Sequence, residues 1–206
     1  MDNKKIKGEH IVAITKDIFT HDEDGMKFMS GDIDPATVII GQREMLEGTT
    51  SFRQIIPYTV VCCEDKFAAY RRTPKGNEPG LHGNVSIGFG GHLDLADVIF
   101  DKKSHIDLDK TIQVGARREI EEELDFANDN KISSVVAFDK KLVSNKNMVD
   151  KKHIGLVSIA YVDNVNVRAA EDQLDFMGFF TINELLKMKD MEFWTEKLVE
   201  LYSLQK

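Results

Sequence analysis

The sequence predicts an α+β fold built on a mixed β-sheet. Three observations carry this: a β-branched and aromatic hairpin at residues 55–63 and 67–72, a Glu-rich helix that follows a glycine turn, and later strands closed by two C-terminal helices. At 206 residues the chain can bury a full core as one domain with additions.

Residues 1–52 read as an N-terminal extension, with strand-like segments at 11–14, 26–29 and 36–40 between Asp- and Gly-rich turns. A small β element is expected there, packed on the core or on a partner subunit, and the main domain is expected over 53–206. The opening hairpin of that domain turns through Glu64-Asp65-Lys66, and residues 73–84, with proline and glycine, read as a loop. Ser86-Ile87-Gly88-Phe89 is a short strand ending at Gly90 and Gly91, where backbone can approach a metal or phosphate that a side chain would block. Ile112, Ala116, Ile120 and Leu124 recur every fourth residue and predict a helix over 111–124, with Asp107 and Asp109 ahead of its N-terminus. Gly115 and Ala116 leave room for close packing against the sheet. Beyond it, 135–143, 153–162 and 176–181 read as strands, and 182–187 and 191–202 as helices.

Glu119, Glu122 and Glu123 stand at i, i+3 and i+4 of the predicted helix and share one face. Carboxylates so close repel one another, and the sole basic residue inside the run is Arg118, one turn before Glu122. Glu-rich helices are most often solvated faces. The glycine turn upstream is what points instead to a cradle for a hard cation, because oxygen ligands suit Mg²⁺ or Mn²⁺ where zinc would prefer His or Cys.

Strand, glycine turn and acidic helix, in that order, resemble the Nudix hydrolase family, whose box runs G-x5-E-x7-R-E-U-x-E-E-x-G-U with U aliphatic. Gly91 takes the place of the first glycine, and Arg118, Glu119, Ile120, Glu122, Glu123 and Phe126 that of the second half. Arg53-Gln54-Ile55-Ile56-Pro57-Tyr58, Tyr70-Arg71-Arg72, Leu81-His82-Gly83 and Ser86-Ile87-Gly88-Phe89-Gly90-Gly91-His92 are similar to a MutT-like bacterial and phage branch described as phosphoesterases. The chain departs from the box in three places. About a dozen extra residues, within 94–109, separate Gly91 from Arg118. Counted back from Arg118, the upstream Glu becomes Lys110, with Asp109 beside it, and the glycine after the acidic pair becomes Asp125.

The resemblance implies a Nudix-type α/β/α sandwich with a mixed sheet, and a Mg²⁺- or Mn²⁺-dependent pyrophosphohydrolase. Its substrate would be a nucleoside diphosphate linked to another moiety. Glu119, Glu122 and Glu123, with the carbonyl of Gly90 or Gly91, would hold the metal, and Arg118 would orient Glu122. His92 would contact phosphate or shuttle a proton; the plainer reading is a surface imidazole. Arg71 and Arg72 end a strand near the expected cleft, and alternation turns only one of them inward as a phosphate ligand. The general base is either Glu119 or Glu122, or a later carboxylate among Glu171, Asp172 and Asp175, a cluster that could equally be an exposed acidic turn.

Lys and Arg number 27 against 35 Asp and Glu, a net charge of −8 that disfavours long contact with a nucleic-acid backbone. A small phosphorylated nucleotide remains compatible, since bound divalent cations reverse the local sign. No apolar stretch approaches the roughly 18 residues that span a bilayer, so no membrane partner is expected and the expected compartment is the cytoplasm. Cys62 and Cys63 are neighbours and read as reduced packing residues on opposite faces of a strand. A homodimer is left open. Two other functions compete: a non-catalytic nucleotide sensor that kept the fold, and an isopentenyl-diphosphate isomerase, whose chemistry needs a cysteine and a His-rich metal site.

Overall fold

A computed structural model of the chain describes residues 10–15, 27–29, 33–76, 78–127 and 130–204. Of the expected N-terminal extension, positions 1–9, 16–26 and 30–32 lie outside the described residues, including the start of the strand expected at 26–29. In chain order the strands are β1 (His10–Thr15), β2 (Lys27–Met29), β3 (Val38–Gln42), β4 (Phe52–Cys63), β5 (Lys66–Arg72), β6 (Val85–Ser86), β7 (Gly88–Phe89), β8 (Leu124–Phe126), β9 (Ile132–Val143), β10 (His153–Val162), β11 (Val167–Ala169) and β12 (Leu174–Thr181). The helices are α1 (Arg43–Glu47), α2 (Leu108–Glu123), α3 (Met148–Lys152), α4 (Ile182–Leu185) and α5 (Phe193–Ser203). The α+β class holds. The chain forms two compact units, and β4, α2, β9 and β10 each run from one into the other.

The first unit comprises Met1–Pro57, Gly91–Gly115 and Asp139–Leu156. Its central strand is β1, which pairs antiparallel with β3 on one edge and with the start of β4 on the other. Both faces are covered, so Ile11, Val12, Ala13 and Ile14 form a continuous apolar run without the alternation of a half-exposed strand. Val12 and Ile14 pack with Ile55, Leu93, Ile112, Ile154 and Leu156. The N-terminal β element therefore lies on the core of its own chain. Arg53 is only 1% exposed, and its guanidinium donates to the carbonyls of Ser144 (3.2 Å), Asp150 (2.8 Å) and His153 (3.2 Å) and to Asn145 Oδ1 (2.8 Å). A single buried cation thus supplies the donors that the turn before β10 requires.

The stretch expected as an inserted loop has internal order. Asp94 and Asp97 cap a 3-10 turn reciprocally, Phe100 bridges Ile106, and Asp101 Oδ1 accepts the N–H groups of Lys103 (2.7 Å) and His105 (2.9 Å). Thr111, fully buried, accepts the N–H of Ile99 through its hydroxyl at 3.0 Å and fastens the stretch to the helix that follows. Lys110 is exposed and pairs with Asp107. Gly115 allows a close approach, but to Leu93 in the stretch after the glycine turn and not to a sheet strand: a Cβ there would meet Leu93 Cδ2 at 2.2 Å.

The second unit comprises Tyr58–Gly90, Ala116–Phe138 and Val157–Lys206. β5 lies between the end of β4, reached through Glu64 and Asp65, and β12; β6 adds to β5, and β7 pairs with β4. Ile120 and Leu124 enter a core of Val61, Cys63, Tyr70, Phe89, Ala160 and Leu174. The helix exit needs no left-handed residue at Asp125: α2 passes straight into β8, which pairs with β11, and Ala170 N–H caps the Glu123 carbonyl at 2.9 Å. Gly88 is required by packing, since a Cβ on it would lie 1.9 Å from the Tyr58 ring.

Candidate active site

The second half of α2 places Glu119, Glu122 and Glu123 on successive turns of one face, as their spacing requires. Arg118 Nη1 bridges two of them, Glu119 Oε1 at 2.7 Å and Glu122 Oε2 at 3.3 Å. The guanidinium expected to orient Glu122 therefore holds Glu119 as well. Glu123 turns toward the glycine bend, where its Oε2 accepts the Gly90 N–H at 3.1 Å. Gly90 has φ +153, a conformation open to glycine and strained for other residues, and Gly91 follows it directly in the chain.

Burial pushes the Glu123 carboxyl well above its ordinary range, and the Glu119 carboxylate, then Glu171, push it further. The positive charge of Arg72 and the Gly90 N–H act in the opposite sense. These residues come from four segments: the end of β5, the end of β7, α2 and the turn before β12. Of the three downstream carboxylates, Glu171 is the one whose charge is felt at Glu123. Asp172 is exposed and pairs with Lys75 at 2.5 Å, and Asp175 stands opposite Arg71 in the β5–β12 ladder.

Alternation separates the two arginines. Arg71 donates through Nη1 to the Gly83 carbonyl, whereas Arg72 donates through Nε to Glu192 Oε2 at 2.8 Å. His82 binds the Gly76 carbonyl at 2.9 Å and braces the loop before β6. In the first unit, His92 Nε2 lies 2.6 Å from Gln54 Oε1 and 3.4 Å from His153 Nε2. His153 Nδ1 sits 2.7 Å from the Val149 carbonyl, which makes it the donor nitrogen, so in the neutral ring Nε2 is the acceptor and His92 Nε2 carries the proton facing both. His92 is thus held by side chains on both sides, unlike a surface imidazole.

Two residues of consequence were not singled out by sequence reasoning. Counted forward from Gly91, the box spacing reaches Asp97, which is 2% exposed and lies in the capped turn. The forward count was the available signal. Glu192, 4% exposed, marks itself only as a Glu just before a helix.

Among the described residues no group of three His, Cys, Asp or Glu side chains is assembled to hold a metal ion. The donor set nonetheless fits a hard divalent cation, because a partly desolvated carboxyl crowded by two other carboxylates gains from a positive charge that its oxygens coordinate. Both cysteines are free and buried; burial, with Cys63 and Asp65, pushes the Cys62 thiol up to about 11. A catalytic cysteine needs the opposite shift, so nothing here supports the isomerase.

No family model matches the chain. Protein YmaB of Bacillus subtilis (strain 168) is 28% identical over 175 residues, covering 81% of each chain. The crystal structure of Tm1382, described as a candidate Nudix hydrolase, superimposes with a TM-score of 0.70 at 20% identity, covering 94% of this chain and 98% of that one. The MutT protein from Methanosarcina mazei Go1 is a looser likeness, with a TM-score of 0.45 at 16% identity over 74% of this chain and 94% of that one. No helix among the described residues is long and apolar enough to cross a membrane. With its acidic helix set against a glycine bend and a likeness to Tm1382 over nearly its whole length, the chain has the Nudix fold.

Proposed function

We propose that the protein is a hydrolase of a phosphoanhydride bond in a nucleoside diphosphate linked to another moiety, dependent on Mg²⁺ or Mn²⁺. The observation that carries this reading is the Glu123 carboxyl, bonded to the Gly90 N–H and crowded by Glu119 and Glu171. Glu119, Glu122 and Glu123, with a carbonyl of Gly90 or Gly91, would hold the ion, which supplies charge screening at the phosphate oxygens and a more acidic water. Arg118 holds two of the carboxylates, and Arg72, at the end of β5, supplies positive charge for the substrate phosphates. Because Glu119 and Glu122 serve as ion ligands on this reading, we assign the base to Glu171, whose charge bears on Glu123. It takes a proton from the attacking water as the new P–O bond forms, and the bridging oxygen leaves with the other phosphate.

The purified protein, incubated with Mg²⁺ and a panel of ADP-ribose, dinucleotide polyphosphates, nucleotide sugars and nucleoside triphosphates, should release phosphate after phosphatase treatment. Turnover should be lost in Glu122→Gln. No turnover of any member by the wild type refutes the hydrolase. The Arg118 clasp on Glu119 and Glu122 favours a second reading, a nucleotide sensor, which predicts tight binding of one panel member without turnover.

A further inference from the structure

Glu192 is a buried carboxylate whose partners share out its two oxygens. Oε1 accepts the hydroxyls of Tyr58 and Ser86, both at 2.6 Å, and Oε2 accepts Arg72 Nε at 2.8 Å. Thr195 Oγ1, 2.8 Å from the Tyr58 hydroxyl, accepts the Ile87 N–H at 3.1 Å, so the cluster is tied to the backbone between β6 and β7. The segment carrying Glu192 is fixed as well: Val85 N–H donates to the Asp190 carbonyl at 2.8 Å, and Glu192 N–H to the Val85 carbonyl at 2.9 Å. Glu192 is the N-cap of α5, yet its side chain makes no capping hydrogen bond. It serves the interior instead of its own helix.

The geometry at Arg72 is not that of simple neutralisation. An arginine paired for its own sake offers a carboxylate two parallel N–H groups. Here Glu192 takes Nε alone, the guanidinium carbon lies 5.6 Å from the Tyr70 ring centroid, and neither Nη makes a hydrogen bond to a described residue. The Tyr70 hydroxyl is itself held by the Gly88 carbonyl at 3.0 Å. Edge and face of the guanidinium are fixed while the two-nitrogen fork is left for a ligand, and 27% of the side chain's surface is open to solvent. A fork of that kind matches two oxygens of one phosphoryl group.

We propose that Glu192 is a positioning residue that, steadied by Tyr58 and Ser86, holds Arg72 by its Nε so that the Nη fork receives the oxyanion of a diphosphate. This rests on the hydrolase reading for the identity of the anion, not for the existence of the fork.

The test is calorimetric titration with methylenediphosphonate, whose P–C–P bridge cannot be hydrolysed, in Mg²⁺ buffer, beside thermal unfolding of each protein. Arg72→Lys keeps the charge and loses the fork; Glu192→Asp keeps the charge and shortens the reach. Each should weaken binding on the order of tenfold or more, with Ser86→Ala weakening it less. A structural tie alone would lower thermal midpoints and leave affinity unchanged. That outcome overturns the proposal, as does an absence of binding by the wild type. If Glu192→Asp fails to fold, Ser86→Ala and Arg72→Lys decide. Should no panel substrate turn over while this affinity order holds, the hydrolase falls and the positioning role stands. Should turnover depend on Glu122 while Arg72→Lys binds as wild type, the reverse is true.

Discussion

Replacing Gly88 with alanine tests the packing beneath the site without any assumption about catalysis. The new Cβ would lie 1.9, 2.1 and 2.3 Å from Cζ, Cε1 and Cε2 of Tyr58, where carbon contacts settle at about 3.5–4.0 Å. Gly88 has no positive φ, so alanine meets no backbone objection and the whole penalty is steric. Relief requires a shift of roughly 1.5 Å by strand or ring. The ring resists, because it is 3% exposed, packs edge-on against Trp194 at 5.4 Å, and carries the hydroxyl that donates to Glu192. Overpacking costs about 1–3 kcal/mol, and disturbing a hydrogen bond to a charged group about 1.5–3 kcal/mol more. The sum is about 2.5–6 kcal/mol, which at a urea slope of about 2 kcal/mol per M lowers the midpoint by about 1–3 M. Trp194 is the single tryptophan and stands beside Tyr58, so its fluorescence reports the transition. In a Tyr58→Leu background the same substitution should cost under about 1 kcal/mol, a coupling that a double-mutant cycle reads directly. A Gly88→Ala midpoint within about 0.3 M of wild type refutes the packing argument.

The raised pKa of Glu123 makes the metal-free fold lose stability as pH rises from the ordinary carboxylate range through the folded value, because the native state binds more protons there. Mg²⁺, which favours the ionised form, should therefore raise the thermal midpoint more at pH 8 than at pH 5, and Glu123→Gln should erase that difference; equal gains at both pH values would count against the site. Arg53→Met should cost about 3 kcal/mol in urea unfolding by stranding the carbonyls of Ser144, Asp150 and His153, and a loss below about 1 kcal/mol would show that the turn finds other donors. Glu171→Gln should slow turnover of whichever panel substrate is cleaved by about 10²–10⁴-fold, with Asp172→Asn nearly unchanged; equal effects would move the base elsewhere.

What could be read in advance was whatever repeats locally. The helix over 111–124 was legible because its apolar residues recur every four, and 153–162 because a predominantly apolar run with four β-branched residues reads as a buried strand. α1 and α3 are five residues each, too short to show a period. β8 was hidden because Leu124 continues the helical pattern; what ends the helix is Arg168 opposite Asp125 and Ala170 reaching Glu123, partners more than forty residues away. Arg53 and Gly88 stood out as motif letters, but their tasks depend on residues 144–153 and on Tyr58. For the candidate site, the three glutamates and Arg118 could be placed on one face by spacing alone, whereas the different partners of Arg71 and Arg72 depend on residues 83 and 192, far along the chain.

The departures from the box each have local partners. The extra residues close on themselves through Asp101, Phe100–Ile106 and Thr111; Lys110 answers Asp107; Asp125 lies in an extended strand. The chemistry of the acidic face then turns on Arg118. Each of its contacts engages one oxygen of a two-oxygen carboxylate, Oε1 of Glu119 and Oε2 of Glu122. A carboxylate paired with a guanidinium keeps its negative charge, and that charge also draws a second cation. A divalent ion at the same distance attracts each carboxylate twice as strongly as a guanidinium does. On the hydrolase reading, Arg118 would hold Glu119 and Glu122 in place for the proposed ion rather than compete with it. Arg118→Met should accordingly lower Mg²⁺ affinity in a calorimetric titration by releasing both carboxylates to repel Glu123; a rise in affinity would show that the arginine competes for the site.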